Sequence, residues 1–144
     1  MEQNRGNVLA ALKTTITNLG STYAKTVVRS YSGADIQMYL DTDLPLVDMR
    51  EPNENNDKEL TSFRSINKMA LVLRIYFVSW AESASSTYED IIKSVRNAIG
   101  ANFKATETAL KAEVTTISGI QGEMPLYWVD IGLDIRYYLD QKDV

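Results

Sequence analysis

Cysteine and histidine are both missing from the 144 residues, glycine and proline number only seven and three, and 15 basic side chains face 19 acidic ones. Without cysteine there is no disulfide framework, thiolate nucleophile or sulfur-ligated metal. Without histidine there is no imidazole base or ligand, and no Ser-His-Asp triad. Catalysis would have to run on carboxylates alone, with a divalent cation or as an acid pair. No phosphate-binding glycine loop, dinucleotide-binding turn, EF-hand loop or HExxH helix accompanies them. The inventory points to a protein that is not an enzyme and needs no cofactor. Lys and Arg are not concentrated among aromatics, as nucleic-acid binding requires. The longest apolar stretch, residues 69–78, is interrupted by Arg74 and is too short for a spanning helix. The N-terminus has no signal-peptide pattern, so a soluble chain without a membrane partner is expected.

What is present is enough for a core. With 44% apolar side chains, a chain of this length buries roughly 70% of its unfolded surface and holds together by side-chain contact alone. Val8, Leu9, Leu12, Ile16 and Leu19 form one apolar stripe at helical spacing, with Gly20 and Ser21 as the stop. Residues 26–31 are short and β-prone. Residues 34–43 fit either a loop or a turn of helix. Residues 44–49 read as a second strand entered through Pro45, and an exposed edge there would allow strand addition by a partner.

The segment that follows is different in kind. From Arg50 to Glu59 the only apolar residue is Pro52. A run that cannot bury a hydrophobic face is expected to be an exposed, mobile acidic loop at about residues 50–60, ordered by a neighbour on assembly. Arg50, Glu51, Glu54, Asp57, Lys58 and Glu59 are its candidate docking residues. Asp41 and Asp43 with the loop acids offer carboxylates to a cation, but without EF-hand spacing or glycine.

Residues 69–80 carry the strongest strand signal: Met69, Leu71, Leu73, Ile75 and Phe77 share one face, and the opposite face is also largely apolar, as in a central strand. Ser83 to Thr87 supply capping candidates for a helix with the stripe Tyr88, Ile91, Ile92, Val95 and Ile99, ending at Gly100. Residues 103–111 are compatible with a short helix, residues 114–120 are β-prone, and Gly122 with Pro125 marks a turn. Residues 127–139 alternate cleanly. Tyr127, Val129, Ile131, Leu133, Ile135, Tyr137 and Leu139 face a core, while Trp128, Asp130, Gly132, Asp134, Arg136, Tyr138 and Asp140 face water. That second face is expected to be wet and acidic. Together these elements predict one α+β domain over residues 1–144, with a mainly antiparallel sheet and helices on one face. Charge alternates along the chain: residues 1–40 carry +2, 41–59 carry −5, 60–111 carry +3 and 112–144 carry −4.

The passage from "LPLVDMREPNEN" through "RSINKMALVLRIYF" and "TYEDIIKSVRNAIG" to "LYWVDIGLDIRYYLD", behind an N-terminal helix, resembles the tail terminator family of tailed bacteriophages. The resemblance covers nearly the whole chain and rests on element order. It implies a structural virion protein, made in the host cytoplasm, that forms a homo-oligomeric ring, commonly a hexamer, on the head-proximal end of the tail tube. Its partners would be itself, the tail tube protein and the head–tail connector, with DNA as passing cargo. On that reading the Arg50–Glu59 loop is a docking element. Asp130, Asp134 and Asp140 then form an acidic face toward the lumen or a neighbouring subunit, repelling DNA by like charge. Another neck or tail-completion protein, a module that binds peptides at its sheet edge, and a carboxylate-dependent metal enzyme stay open as alternatives.

Overall fold

Strict alternation over a long stretch demands a long strand with one dry face. In the computed structural model, which describes residues 5–30, 41–50, 53–59, 64–80, 84–103 and 111–140, two such strands lie side by side. Strand β4 (Arg64–Val78) and strand β7 (Leu126–Asp140) run antiparallel in unbroken register, from Arg64 opposite Asp140 to Val78 opposite Leu126. At about 3.4 Å per residue the ribbon is roughly 50 Å long.

Shorter strands line both of its sides. Beside β4 lie β2 (Leu46–Arg50) and β3 (Asn53–Glu59), end to end, and β1 (Thr26–Ser30) pairs with β2 in parallel. Beside β7 lie β5 (Lys111–Ile117) and β6 (Gln121–Glu123). The sheet order is β1-β2-β4-β7-β5, antiparallel except for the first pair. This is the α+β architecture expected from the sequence.

Helix α1 (Arg5–Thr17) and helix α2 (Ala84–Asn97), the latter extended by a π-helical turn over Ala98–Phe103, cover one face. Their stripes are those the periodicity predicts. Val8, Leu9, Leu12 and Ile16 from α1, and Ile91, Val95 and Ile99 from α2 and its extension, meet Val47, Met49, Leu73, Ile75, Phe77, Val129, Ile131 and Leu133 in one buried cluster. The Tyr88 hydroxyl donates to the Ser118 carbonyl at 2.7 Å, tying the start of α2 to the end of β5.

The structure departs from the sequence reading at the expected acidic loop and at the expected sheet edge. Residues 50–59 are not a loop: Arg50 ends β2, and Asn53–Glu59 is β3, paired from Asn53 opposite Ala70 to Glu59 opposite Ser65 with one irregularity between Asn56 and Lys58. Side-chain polarity argues against burial, but a strand needs only a backbone partner, and β4 supplies one by beginning at Arg64 rather than at residue 69. A polar composition also suits a strand at a sheet rim, where apolar residues invite aggregation. Residues 44–49, expected at an exposed edge, lie inside the sheet because β1 pairs along β2. Of residues 34–43 only a 3-10 turn at Asp41–Asp43 is described. Residues 104–110, most of the expected short helix, and Glu51 lie outside the described residues.

Two positions show where the sheet is tightest. An added Cβ at Gly132 would collide with the Thr116 hydroxyl and lie 3.3 Å from that of Thr115, because the register shift between Val114 and Thr116 crowds β5 onto β7. Tyr137, fully buried, has a hydroxyl with no hydrogen-bond partner. Gly132→Ala is therefore expected to lower stability by about 2–3 kcal/mol, against a change within about 0.5 kcal/mol for Gly119→Ala, where an added Cβ meets nothing within 4 Å. Tyr137→Phe, which deletes the orphaned hydroxyl, is expected to be neutral or stabilising by up to about 1 kcal/mol. Urea denaturation of the three variants checks both expectations.

Candidate functional site

The face of the sheet opposite the helices carries Asp130 and Asp134 together with Asp48, Lys68 and Arg74. Cross-strand register sets them in rows. In one row Val28, Asp48, Arg74 and Asp130 stand opposite one another across β1, β2, β4 and β7. Arg74 is flanked by two carboxylates, and its guanidinium makes a bidentate pair with one of them: Nε donates to Asp130 Oδ1 at 2.7 Å and Nη2 to Oδ2 at 2.9 Å. The hydrogen bond to Asp130 raises the guanidinium pKa above its ordinary value, against the opposing effect of partial burial. Arg74 also lies 5.7 Å from the centre of the Trp128 ring. The indole N–H of Trp128 donates to Gln121 Oε1 at 3.1 Å, which joins β7 to β6.

Asp48 uses other partners. It is fully buried, accepts a 2.6 Å hydrogen bond from the Ser30 hydroxyl, and lies 3.7 Å from Arg50 Nε. A carboxylate removed from water requires such partners; the Ser30 bond links β1 to β2 through side chains as well as backbone, while Arg50 lies on β2 itself. Farther along the ribbon Lys68 Nζ lies 3.4 Å from Asp134 Oδ2, and Arg136 Nη1 lies 3.6 Å from Glu113 Oε1.

These contacts correct the expectation of an acidic face. Asp130 and Asp134 share the face as predicted, but each answers a cation from β4. With Asp48 and Glu113 the described ion pairs set four carboxylates against Arg50, Lys68, Arg74 and Arg136. The face is charged and balanced. Asp140 pairs through its backbone with Arg64 at the far end of the ribbon.

The two candidate groups are not brought together. Glu54, Asp57, Lys58 and Glu59 belong to β3, on the opposite side of β4 from the β7 acids, and Arg50 belongs to β2. Among the described residues no three carboxylates converge to hold a metal ion, and no helix is long and apolar enough to cross a membrane. No protein-family model and no curated protein matches the chain.

Sequence reasoning missed Asp48 and the role of Arg74. The signal was there in both cases: a carboxylate inside the apolar strand "LPLVDM" and a single cation inside "MALVLRIYFV" each need a partner once buried. Asp130→Ala is expected to lower stability by about 1–3 kcal/mol, because it leaves the Arg74 charge half-buried without its acceptor. Arg74→Met combined with Asp130→Ala is expected to lower it by less than the sum of the single changes. A double-mutant cycle by urea denaturation measures the coupling, with about 1 kcal/mol or more expected for this geometry.

Proposed function

We propose that the chain is a non-enzymatic structural virion protein of the tail-terminator type. Its copies form a ring, a hexamer on the family pattern, at the head-proximal end of a phage tail tube, where they stop tube growth and meet the head–tail connector. One observation carries the reading. The sheet ends in two different sides, β1 with α1 on one and β5 with β6 on the other. A ring is built from contacts in which one surface of a subunit meets a different surface of the next, and a two-sided sheet with helices on one face offers such surfaces. The order of elements along the chain is the second support.

The balanced outer face changes how DNA would be treated in such a ring. Ion pairs that cancel offer phosphates little net charge to neutralise, so the counterion release that drives non-specific binding is weak. Passage then depends on the absence of attraction rather than on repulsion by Asp130, Asp134 and Asp140. Strand β3 (Asn53–Glu59), paired along β4, would then meet the tube or connector as a strand. Light scattering or native mass spectrometry over a concentration series, followed by negative-stain imaging with isolated tail tubes, tests the proposal. Rings in solution, or rings formed only at tube ends, are the expected outcome. A monomer at every concentration that also leaves tube ends bare overturns it.

A further inference from the structure

Among the described residues three large apolar side chains are exposed, and two of them lie close together. Trp80 is 71% and Met124 53% exposed. The Ser79 amide donates to the Pro125 carbonyl at 2.8 Å, which sets Trp80 beside the β6–β7 turn just beyond the last ribbon pair, Val78 opposite Leu126. Glu123, also exposed, stands next to Met124. One end of the ribbon therefore presents a tryptophan, a methionine and a carboxylate together. Tryptophan and methionine are enriched at protein interfaces, and an exposed pair is not explained by folding.

A surface of complementary chemistry lies elsewhere on the molecule. Between α1 and β1 runs an open groove of about 410 Å3 lined by Ala10, Lys13, Thr14, Thr17, Asn18 and Arg29. Its walls are small side chains and its charges are positive. Residues 5–30 contain Arg5, Lys13, Lys25 and Arg29 and not one acidic residue. The Thr14 and Thr17 hydroxyls donate to the carbonyls of Ala10 and Lys13, so they have no proton left for a small anion. The groove thus suits an apolar side chain accompanied by a carboxylate better than a free phosphate.

Within one chain the two surfaces cannot meet. Arg29 is level with Met49, Leu73 and Ile131. The Leu126 end of the ribbon is five residues farther along and three strands across, roughly 17 Å by 14 Å on standard strand spacings. We propose that the Trp80–Glu123–Met124 tip seats in the α1–β1 groove of a second copy of this chain, with Glu123 facing Lys13 and Arg29 and the two apolar side chains on the small-residue wall. The contact joins unlike surfaces, so it propagates head to tail and closes into a ring when the rotation permits. It rests on the ring reading above and names the surfaces that would build it.

The absence of cysteine makes the test clean. Met124→Cys and Ala10→Cys, both at exposed positions, are combined in one chain and treated with oxidant or a short bis-maleimide linker. A covalent ladder of dimers and higher species is expected from the double variant and not from either single variant. Lys13→Glu with Arg29→Glu should weaken association at least tenfold, and adding Glu123→Lys should recover part of the loss. Rings seen by microscopy without a ladder, and unmoved by the charge reversals, overturn this interface while leaving the ring reading in place. A ladder without rings, in solution or on tubes, supports the interface and overturns the ring reading.

Discussion

Fifteen-residue strands paired along their whole length hold the rest of this molecule in place. Every other strand hangs on the β4–β7 ribbon or on a strand that does: β2 and β3 on β4, β5 and β6 on β7, and β1 on β2. Because side chains alternate, one register fixes both faces at once. Met69, Leu71, Leu73, Ile75 and Phe77 are carried to the helices together with Val129, Ile131, Leu133 and Ile135. The same register places Arg74 opposite Asp130. A slip of one residue would bury the ion pair and expose the core, so packing on one face and charge pairing on the other select the same alignment.

That double selection explains the balanced outer face. Asp130 and Asp134 on β7 are met from β4 by Arg74 and Lys68. Pairs at this exposure contribute modestly to stability one by one. The register sets Arg74 directly opposite Asp130, whereas Lys68 stands opposite Arg136 and reaches Asp134 on the diagonal. Asp48 belongs to the same system. Its bond to Ser30 ties β1 to β2, the one parallel pair among the described strands, where the backbone ladder is slightly weaker.

The asymmetry of the fold bears on assembly. Helices cover one face, and the sheet ends in β1 on one side and β5 on the other. Unlike surfaces at separated positions suit head-to-tail association. The exposed Trp80 and Met124 and the cationic groove along α1 fit that pattern.

Much of this was legible in the residues. The helical stripes of α1 and α2, the central strand, the closing strand with its core face, and the Gly122–Pro125 turn follow from periodicity and turn chemistry, because each depends on side chains a few positions apart. The α+β class follows from their order. What needed the tertiary structure were the relations between distant segments. Strand β3 has no apolar residue to announce it and exists because β4 presents a backbone edge. The charge of Asp130 and Asp134 looks unopposed along the chain and is cancelled by cations that lie 56 residues away for Arg74 and come from the same strand for Lys68. The seating of residues 44–49 inside the sheet depends on β1, and the Trp80–Met124 tip depends on two turns meeting at one end of the ribbon. Local patterns record the period of a strand; which strand lies beside it, and so which charges and edges remain open, is decided only when the chain closes on itself.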